Sequence, residues 1–206
     1  MTTSLRMTEL KTRLRAQLRQ QRKDYRSMRG ANLIEDFHAL ATFASKLASL
    51  TKKAPLVIAG YQASGNEISP HLLEEALAAL GHTLVWPRVQ DTQLIFCAAD
   101  ASPSFVKGAY GLLEPGSQAS VLRPDLLIVP LLACDARGYR LGQGGGFYDR
   151  SLAALRATAQ AQCLPNPVTV GLGFDCQMQQ ELPVEAHDIR LTAFLSPTQL
   201  RVFEPN

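Results

Sequence analysis

Hydrophobic positions along the chain switch between helical and strand-like spacing. Leu10, Leu14 and Leu18 recur every four residues and predict a helix over residues 8–28, which Thr8 can cap. Similar spacing predicts helices over residues 32–50, from Pro70 to just before Gly81, and over residues 147–162. The chain therefore contains several amphipathic helices that each need a partner surface.

Short apolar runs between these helices predict strands. They cover residues 56–61, 83–87, 93–98, 125–132, 167–174 and 190–195, and residues 93–98 fit a hairpin or an edge insertion. Strands that alternate with helices favour a three-layer α/β fold, with a largely parallel sheet covered by helices on both faces. We expect a single domain over residues 1–206. Glu67, Asp135 and a glycine-rich loop each follow a predicted strand, so they could converge on one edge of the sheet, where such folds bind ligands.

The glycine-rich loop follows the most apolar of these strands. Glycine occupies positions 142, 144, 145 and 146, directly before the helix predicted over residues 147–162. Glycine lets the backbone approach an oxygen-rich group, and the first N–H groups of the helix point towards it. Arg140 can hold phosphate oxygens, and a carboxylate beside a phosphate, here Asp149, indicates a Mg²⁺ ion between them. The loop lacks the lysine of a P-loop and the last glycine of a dinucleotide fingerprint, because Phe147 and Tyr148 follow its glycines.

Charge and cysteine content narrow the classes of protein further. Residues 1–30 hold nine of the 21 Lys and Arg residues, which predicts an anionic partner or a solvated helix face. No apolar run approaches the roughly 20 residues of a membrane span, and residues 1–10 lack a signal-peptide core. The four cysteines and four histidines show no metal-ligand spacing, so we expect reduced thiols in a cytoplasmic protein, with Cys134 in the core.

One long segment resembles a known family. Residues 135–152, Asp-Ala-Arg-Gly-Tyr-Arg-Leu-Gly-Gln-Gly-Gly-Gly-Phe-Tyr-Asp-Arg-Ser-Leu, closely resemble the signature of the 5-formyltetrahydrofolate cyclo-ligases, also called methenyltetrahydrofolate synthetases. Weaker matches follow in family order: Lys11 with Arg15, the turn containing Glu67, Trp86 to Arg88, Tyr110 to Pro115, and His187 with Asp188. The resemblance extends from about residue 8 to about residue 195.

The resemblance implies an activity and a role for each matching residue. The activity is ATP-dependent closure of 5-formyltetrahydrofolate to 5,10-methenyltetrahydrofolate, on a scaffold similar to sugar-phosphate isomerases and CoA-transferases. ATP would be bound by Lys11, Arg15, Arg140, Leu141, Gly142, Gln143, Gly144, Gly145, Gly146, Phe147 and Tyr148. The folate would be bound by Gln62, Glu67, Tyr110, Phe147 and Tyr148. Lys11, Arg140 and Tyr148 would be catalytic, and Asp149 and Asp188 would hold Mg²⁺. The implied partners are ATP and a reduced folate, with no nucleic acid and no membrane, and the implied state is a monomer.

Several alternatives stay open at this point. Taken singly, Asp149 could stabilise a helix N-terminus, and Asp188 and Glu67 could be ordinary turn residues. A sugar-phosphate isomerase, a CoA-transferase or a non-catalytic folate or nucleotide binder would suit a similar scaffold. Gln143 and Phe147 depart from the usual family residues. Arg19 and Arg22 match no motif position, so we expect their replacement to change little.

Overall fold

The computed structural model describes residues 2–99, 105–108 and 111–204. Its α-helices are α1 (Thr2–Arg29), α2 (Leu33–Ala41), α3 (Ala44–Ala48), α4 (His71–Ala79) and α5 (Phe147–Ala161). Its strands are β1 (Val57–Ala59), β2 (Thr83–Gln90), β3 (Gln93–Cys97), β4 (Phe105–Lys107), β5 (Leu113–Pro115), β6 (Leu126–Pro130), β7 (Ala133–Asp135), β8 (Arg140–Leu141), β9 (Val168–Leu172), β10 (Met178–Gln179), β11 (Ala193–Leu195) and β12 (Leu200–Val202).

A seven-stranded sheet forms the centre of the fold, in the order β12-β11-β9-β6-β1-β2-β3. Its five inner strands are parallel, and β12 and β3 close the two edges in antiparallel pairing. The innermost strand β6 is buried over its first four residues, as its apolar sequence predicts. The largely parallel sheet is therefore confirmed, and β3 is the antiparallel partner of β2 in a hairpin.

Helices cover both faces of this sheet. On one face, Leu40 of α2, Leu47 of α3 and Leu73 of α4 pack against inward side chains of the parallel strands, such as Ile128. On the other face, Leu152 of α5 is fully buried in a second cluster. The predicted three layers are confirmed, with one core on each side of the sheet.

Helix α1 lies across the carboxyl edge of the sheet instead of on a face. Leu18 packs with Leu132, Ala133 and Leu141 just beyond β6, and Leu14 is half-buried beside them. The small sheet β10-β7-β8 supports this edge and leads into the glycine loop. This packing turns one face of α1 towards the loop, which is what positions the basic residues described below.

Two predicted helix boundaries are wrong. Helix α1 begins at Thr2, so Thr8 lies inside it and does not cap it, because no helix-breaking residue separates the two positions. The helix predicted over residues 32–50 is divided into α2 and α3. The hydroxyl of Thr42 donates to the carbonyl of Ala39 at 2.7 Å at the break, and such side-chain bonds compete with the helical ladder.

Candidate active site

A cavity of about 850 Å³ opens at the carboxyl edge of the sheet, between α1, the glycine loop and the turn after β1. Residues predicted for the site that line this cavity are Lys11, Arg15, Gln62, Glu67, Arg140, Leu141, Gly142, Gln143, Gly144, Gly145, Gly146, Phe147, Tyr148, Asp149 and Asp188. Tyr110, predicted to contact the substrate, lies outside the described residues. The structure thus gathers into one cavity every predicted site residue that it describes.

The glycine loop joins β8 to α5 and leaves the start of α5 open. Gly146 precedes the helix with a φ of 66°, and no side chain caps it. Gly144 has a φ of 107°, and a Cβ there would lie 3.4 Å from the guanidinium of Arg15. Because L side chains rarely adopt these φ values, glycine suits both positions. An uncapped helix N-terminus beside a basic residue is a site for an anion.

Two arginines of α1 connect the helix to this loop. Arg15 donates from Nε to the carbonyl of Gly142 at 3.0 Å, and Arg19 donates from Nε to the side-chain oxygen of Gln143 at 3.0 Å. Arg19 matches no motif position of the family, and it is exposed. Its contact nevertheless ties Gln143, one of the two departures from the family pattern, to α1.

Lys11 is buried at the cavity wall between two carboxylates. Its Nζ lies 2.6 Å from Oδ2 of Asp188 and 2.8 Å from Oε2 of Glu185, and the residue is 5% exposed. Burial lowers the pKa of Lys11, but the hydrogen bonds and charges of the two carboxylates outweigh it, so the net pKa is raised above 10.5. Lys11 therefore stays protonated, and so positively charged, near neutral pH. Glu185 is a cavity residue that the sequence analysis missed, although it lies three positions before Asp188.

Arg140 and Asp149 form a second acid–base pair in the same wall. NH2 of Arg140 lies 2.7 Å from Oδ1 of Asp149, and NH1 donates to the carbonyl of Ile189 at 2.7 Å. The N–H of Ile189 donates to the same Oδ1 at 3.3 Å. Asp149 thus sits in the first turn of α5, where a negative charge is favoured, and neutralises the arginine that precedes the loop.

The turn after β1 forms the opposite wall. The hydroxyl of Tyr61 donates to the carbonyl of Ile68 at 2.6 Å, and its N–H donates to Oε1 of the buried Glu74 in α4 at 3.2 Å. Glu67 receives the N–H of Ser64 on Oε2 at 3.0 Å. These contacts fix the carboxylate of Glu67 at the cavity, with its side chain only 11% exposed. We call residues 61–67 with Arg22 the turn end, and residues 140–149 with Lys11, Arg15 and Asp188 the loop end.

Arg22 is the largest omission from the predicted site. It lines the cavity and is 5% exposed, with NH1 at 3.3 Å from the carbonyl of Leu131 and 4.0 Å from Oε1 of Glu67. Burial lowers the pKa of Arg22, and the charge of Glu67 opposes this effect. The sequence analysis expected its replacement to change little, and its burial at the cavity argues against that expectation. The spacing of Lys11, Arg15, Leu18 and Arg22 places all four on one helix face, and this signal was present in the sequence.

Phe147 and Tyr148 begin α5 and occupy different depths. Phe147 lies at the cavity under the guanidinium of Arg150, which is 5.1 Å from its ring centre. Tyr148 packs into the core beneath α5 and also reaches the cavity. Burial, followed by the negative charge of Glu67, raises the pKa of Tyr148 well above 10, so its phenol is neutral.

Two residues near the predicted site have structural roles. Asp135 is fully buried, is absent from the cavity wall, and accepts the N–H groups of Arg137, Tyr139 and Leu182. The expectation that it could join Glu67 and the loop at one edge is therefore wrong, because its oxygens are used to hold the β7–β8 hairpin. Cys134 beside it is buried, and this burial raises its pKa to about 12, so it is a core thiol as expected.

The fold and site together define an α/β protein with a glycine-rich loop at a helix N-terminus beside a basic helix. A model of the 5-formyltetrahydrofolate cyclo-ligase family matches residues 7–197, and the chain therefore belongs to this family. The resemblance found in the sequence is confirmed.

Individual relatives agree with this assignment. The chain is 45% identical to the 5-formyltetrahydrofolate cyclo-ligase of Escherichia coli over 78 residues, which is 38% of this chain and 39% of that protein. It is 36% identical to the enzyme of the same name from Mycolicibacterium smegmatis over 98 residues, 46% of each chain. These alignments thus span less than half the length of either relative.

Two solved structures share the fold. The 5,10-methenyltetrahydrofolate synthetase of Aquifex aeolicus has a TM-score of 0.69 and 24% identity, covering 96% of this chain and 94% of that one. The enzyme of the same name from Mycoplasma pneumoniae has a TM-score of 0.66 and 22% identity, covering 91% and 98%. Separately, no helix within the described residues combines the length and apolar character that a membrane crossing requires.

Proposed function

We propose that the chain is a 5-formyltetrahydrofolate cyclo-ligase that uses ATP to form 5,10-methenyltetrahydrofolate, ADP and phosphate. The observation that carries this proposal is the meeting, in one cavity, of an anion-binding loop end and a turn end with a buried carboxylate. Such a cavity can hold a nucleotide phosphate and a polar ring system side by side. Membership of the family supports the same substrates.

The chemical problem is that a formamide carbon is a poor electrophile and its oxygen a poor leaving group. In the proposed reaction the formyl oxygen attacks the γ-phosphorus of ATP, and ADP leaves. N10 then attacks the formyl carbon, the C–O bond breaks with loss of phosphate, and N10 loses its proton. No covalent enzyme intermediate is needed, so positioning and charge neutralisation supply the catalysis.

The loop end supplies the cations for phosphoryl transfer. Lys11, Arg15 and Arg140 line the wall beside the open N-terminus of α5, so phosphates bound there meet three positive charges and the backbone N–H groups of the loop. Lys11 and Arg140 each contact a carboxylate in the cavity wall. Phosphate binding therefore involves an exchange of partners in which both cations turn towards the nucleotide.

The turn end supplies the folate site. Glu67 is a buried carboxylate that can accept hydrogen bonds from the amino and ring N–H groups of a pterin. Gln62 lies beside it on the wall, and Phe147 and Tyr148 offer apolar ring surface between the two ends. The neutral phenol of Tyr148 can donate a hydrogen bond through its O–H group but cannot act as a base near neutral pH.

The carboxylates of Asp149 and Asp188 fit a Mg²⁺ ion that is shared with the phosphates. Among the described residues, Asp149 accepts its bonds through Oδ1, and Asp188 accepts those of Lys11 and Glu185 through Oδ2. The other oxygen of each carboxylate accepts no hydrogen bond from these residues and could contact a cation, and Oδ1 of Asp188 also lies 3.7 Å from Nε2 of the exposed His187. Within the same residues no group of three or more His, Cys, Asp or Glu could hold a metal by itself. This matches Mg²⁺, which commonly uses one or two carboxylates and completes its shell with phosphates and water. When bound, the ion neutralises phosphate charge.

The proposal is tested by incubating the purified protein with Mg-ATP and 5-formyltetrahydrofolate. We expect the absorbance of the methenyl product to rise, with ADP formed in equal amount, and no product when ATP is omitted. If neither ADP nor methenyl product forms, the proposed activity is wrong. ADP that forms without folate turnover would indicate a different acceptor.

The metal assignment is tested separately with Asp149→Asn and Asp188→Asn. We expect both variants to bind Mg²⁺ more weakly in calorimetric titrations of the complex with a non-hydrolysable ATP analogue. Glu181→Gln, which alters an exposed acid, is the matched control. Unchanged Mg²⁺ affinity together with a lower melting temperature would assign both residues a purely structural role.

A further inference from the structure

The guanidinium of Arg22 is buried at the cavity wall with incomplete pairing. Its NH1 reaches one carbonyl at 3.3 Å, and the nearest carboxylate oxygen, on Glu67, lies 4.0 Å away, beyond hydrogen-bond distance. Its Nε is also buried and has no hydrogen-bond partner among the described residues. A buried guanidinium normally engages its planar fork of donors fully, because unpaired donors are costly to desolvate.

The other buried cation of the same helix face is paired quite differently. Lys11 contacts two carboxylate oxygens at 2.6 Å and 2.8 Å, both within hydrogen-bond distance. The environment of Arg22 is instead more positive, because Arg19 and Arg26 also raise the local potential. Among the described residues Arg22 therefore has no strong hydrogen-bond acceptor, and the open side of its environment is the cavity.

The pterin ring of the proposed substrate carries a hydrogen-bond acceptor that Arg22 could bind, next to two hydrogen-bond donors that Glu67 could bind. Its 2-amino group and N3–H form a donor edge suited to Glu67, and the 4-oxo group adjacent to N3 is an acceptor. A cation 4.0 Å from the Glu67 carboxylate is close enough for the same ring to meet both groups. The 4-oxo group also neighbours N5, which carries the formyl group in the proposed substrate.

We propose that Arg22 is a further substrate-binding residue that donates hydrogen bonds to the 4-oxo group of the pterin while Glu67 accepts from its donor edge. This assignment rests on the proposed folate substrate. Arg22 as hydrogen-bond donor and Glu67 as acceptor together recognise one edge of the ring. By holding the 4-oxo group, Arg22 also orients the neighbouring N5 substituent towards the loop end.

The test compares two ligands that differ at one position. They are 5-formyltetrahydrofolate and its analogue with a 4-amino group in place of the 4-oxo group, a change that also removes the N3–H donor. The contribution of Arg22 is therefore the change in preference between the wild type and its variants. We expect the wild-type protein to bind the 4-oxo compound more tightly, and Arg22→Met to reduce this preference by about ten- to hundredfold, the range of one charged hydrogen bond. The affinity for ATP should stay the same, because Arg22 belongs to the turn end.

Two variants make the result decisive. Arg22→Lys keeps a buried cation but lacks the planar fork, so it should retain part of the preference, and it covers the case in which Arg22→Met does not fold. Lys23→Met removes an exposed cation from the next position of α1 and should leave the preference unchanged.

Equal weakening of both ligands in the Arg22 variants would mean that Arg22 only supports Glu67, and the proposal would be overturned. A wild-type protein that turns over 5-formyltetrahydrofolate but shows no preference for the 4-oxo group would contradict this assignment alone. A wild-type protein that binds neither compound would contradict the proposed function as well.

Discussion

The two ends of the cavity hold their charges in different ways. At the loop end, Lys11 and Arg140 each contact a carboxylate within 2.7 Å, so positive and negative charges are matched before any ligand arrives. At the turn end, Arg22 lies 4.0 Å from Glu67, and Glu74, behind the turn, accepts the backbone N–H of Tyr61 and has no ion-pair partner among the described residues.

The two ends therefore differ in how the pairing of their charges affects stability and the binding of polar ligands. Matched charges stabilise the loop end by themselves, but under the proposed function they would have to exchange partners when phosphates bind. Incompletely paired charges make the turn end less stable, but they gain hydrogen bonds directly when a ligand supplies them. Variants at the loop end should therefore change stability and nucleotide use together, whereas variants at the turn end should separate the two.

The largest effect is expected from breaking the matched pair of Arg140 and Asp149. Arg140→Met leaves a carboxylate without its cation and should lower the free energy of unfolding by about 3–5 kcal/mol, measured by urea denaturation. The double variant with Asp149→Leu should recover much of this stability, but no activity. If the double variant is as unstable as the single one, the pair does not account for the stability of the loop end.

A somewhat smaller change in the free energy of unfolding is expected when Glu74 is replaced, and it should be a gain in stability instead of a loss. Burial raises the pKa of Glu74 from 4.5 to about 7, against the hydrogen bond from Tyr61, which lowers it. Below pH 4.5 the carboxyl is protonated in both folded and unfolded chains. As the pH rises towards 7, only the unfolded chain ionises freely, so the folded state loses stability, by up to about 3 kcal/mol at 1.4 kcal/mol per pKa unit.

Glu74→Gln should therefore unfold at higher urea than the wild type above pH 7 and at a similar concentration below pH 4.5. Its amide oxygen can still accept the N–H of Tyr61, so the turn should keep its shape. Glu75→Gln changes the exposed neighbour in α4 and serves as the control. Parallel pH profiles for Glu74→Gln and the wild type would show that this carboxyl does not set the pH dependence.

Lys11→Ala should weaken ATP use at the loop end by about 1.5–3 kcal/mol, the range for a hydrogen bond to a charged group. Steady-state kinetics should show the loss in kcat/KM for ATP, with little change in the affinity for folate. Arg13→Ala removes an exposed charge from the same helix and is the matched control. Equal losses for both variants would point to a diffuse electrostatic effect instead of a specific contact.

The smallest effect is expected at Arg19. Its bond to Gln143 is exposed, and exposed contacts of this kind contribute less than about 1 kcal/mol. Arg19→Ala should therefore change kcat/KM for ATP by a factor of a few and leave the melting temperature unchanged. A loss as large as that of Lys11→Ala would place Arg19 among the main phosphate contacts.

The sequence predicted those parts of the fold and site that depend on local pattern. The glycine-rich loop predicted the start of α5 at Phe147, and the apolar run before it predicted the central strand β6. Which residues from distant parts of the chain contact each other could not be predicted in this way. The contact of Lys11 with Asp188 joins residues 177 positions apart, and no local preference specifies it. Arg22 was missed because motif matching ignored the helix face that it shares with Lys11.

Helix α1 carries Lys11 and Arg15 near one end of the chain, whereas their partners Glu185, Asp188 and Gly142 come from its last third. The bond of Arg15 to Gly142 alone spans 127 positions. During synthesis, the helix must therefore wait for most of the protein to emerge before it can dock. The exposed Gly30, with open space around its Cα and a φ of 52°, marks a natural place to divide the chain. A peptide of residues 1–30 added to the remainder should reconstitute activity in trans, so that turnover itself becomes a measure of how tightly the two fragments associate.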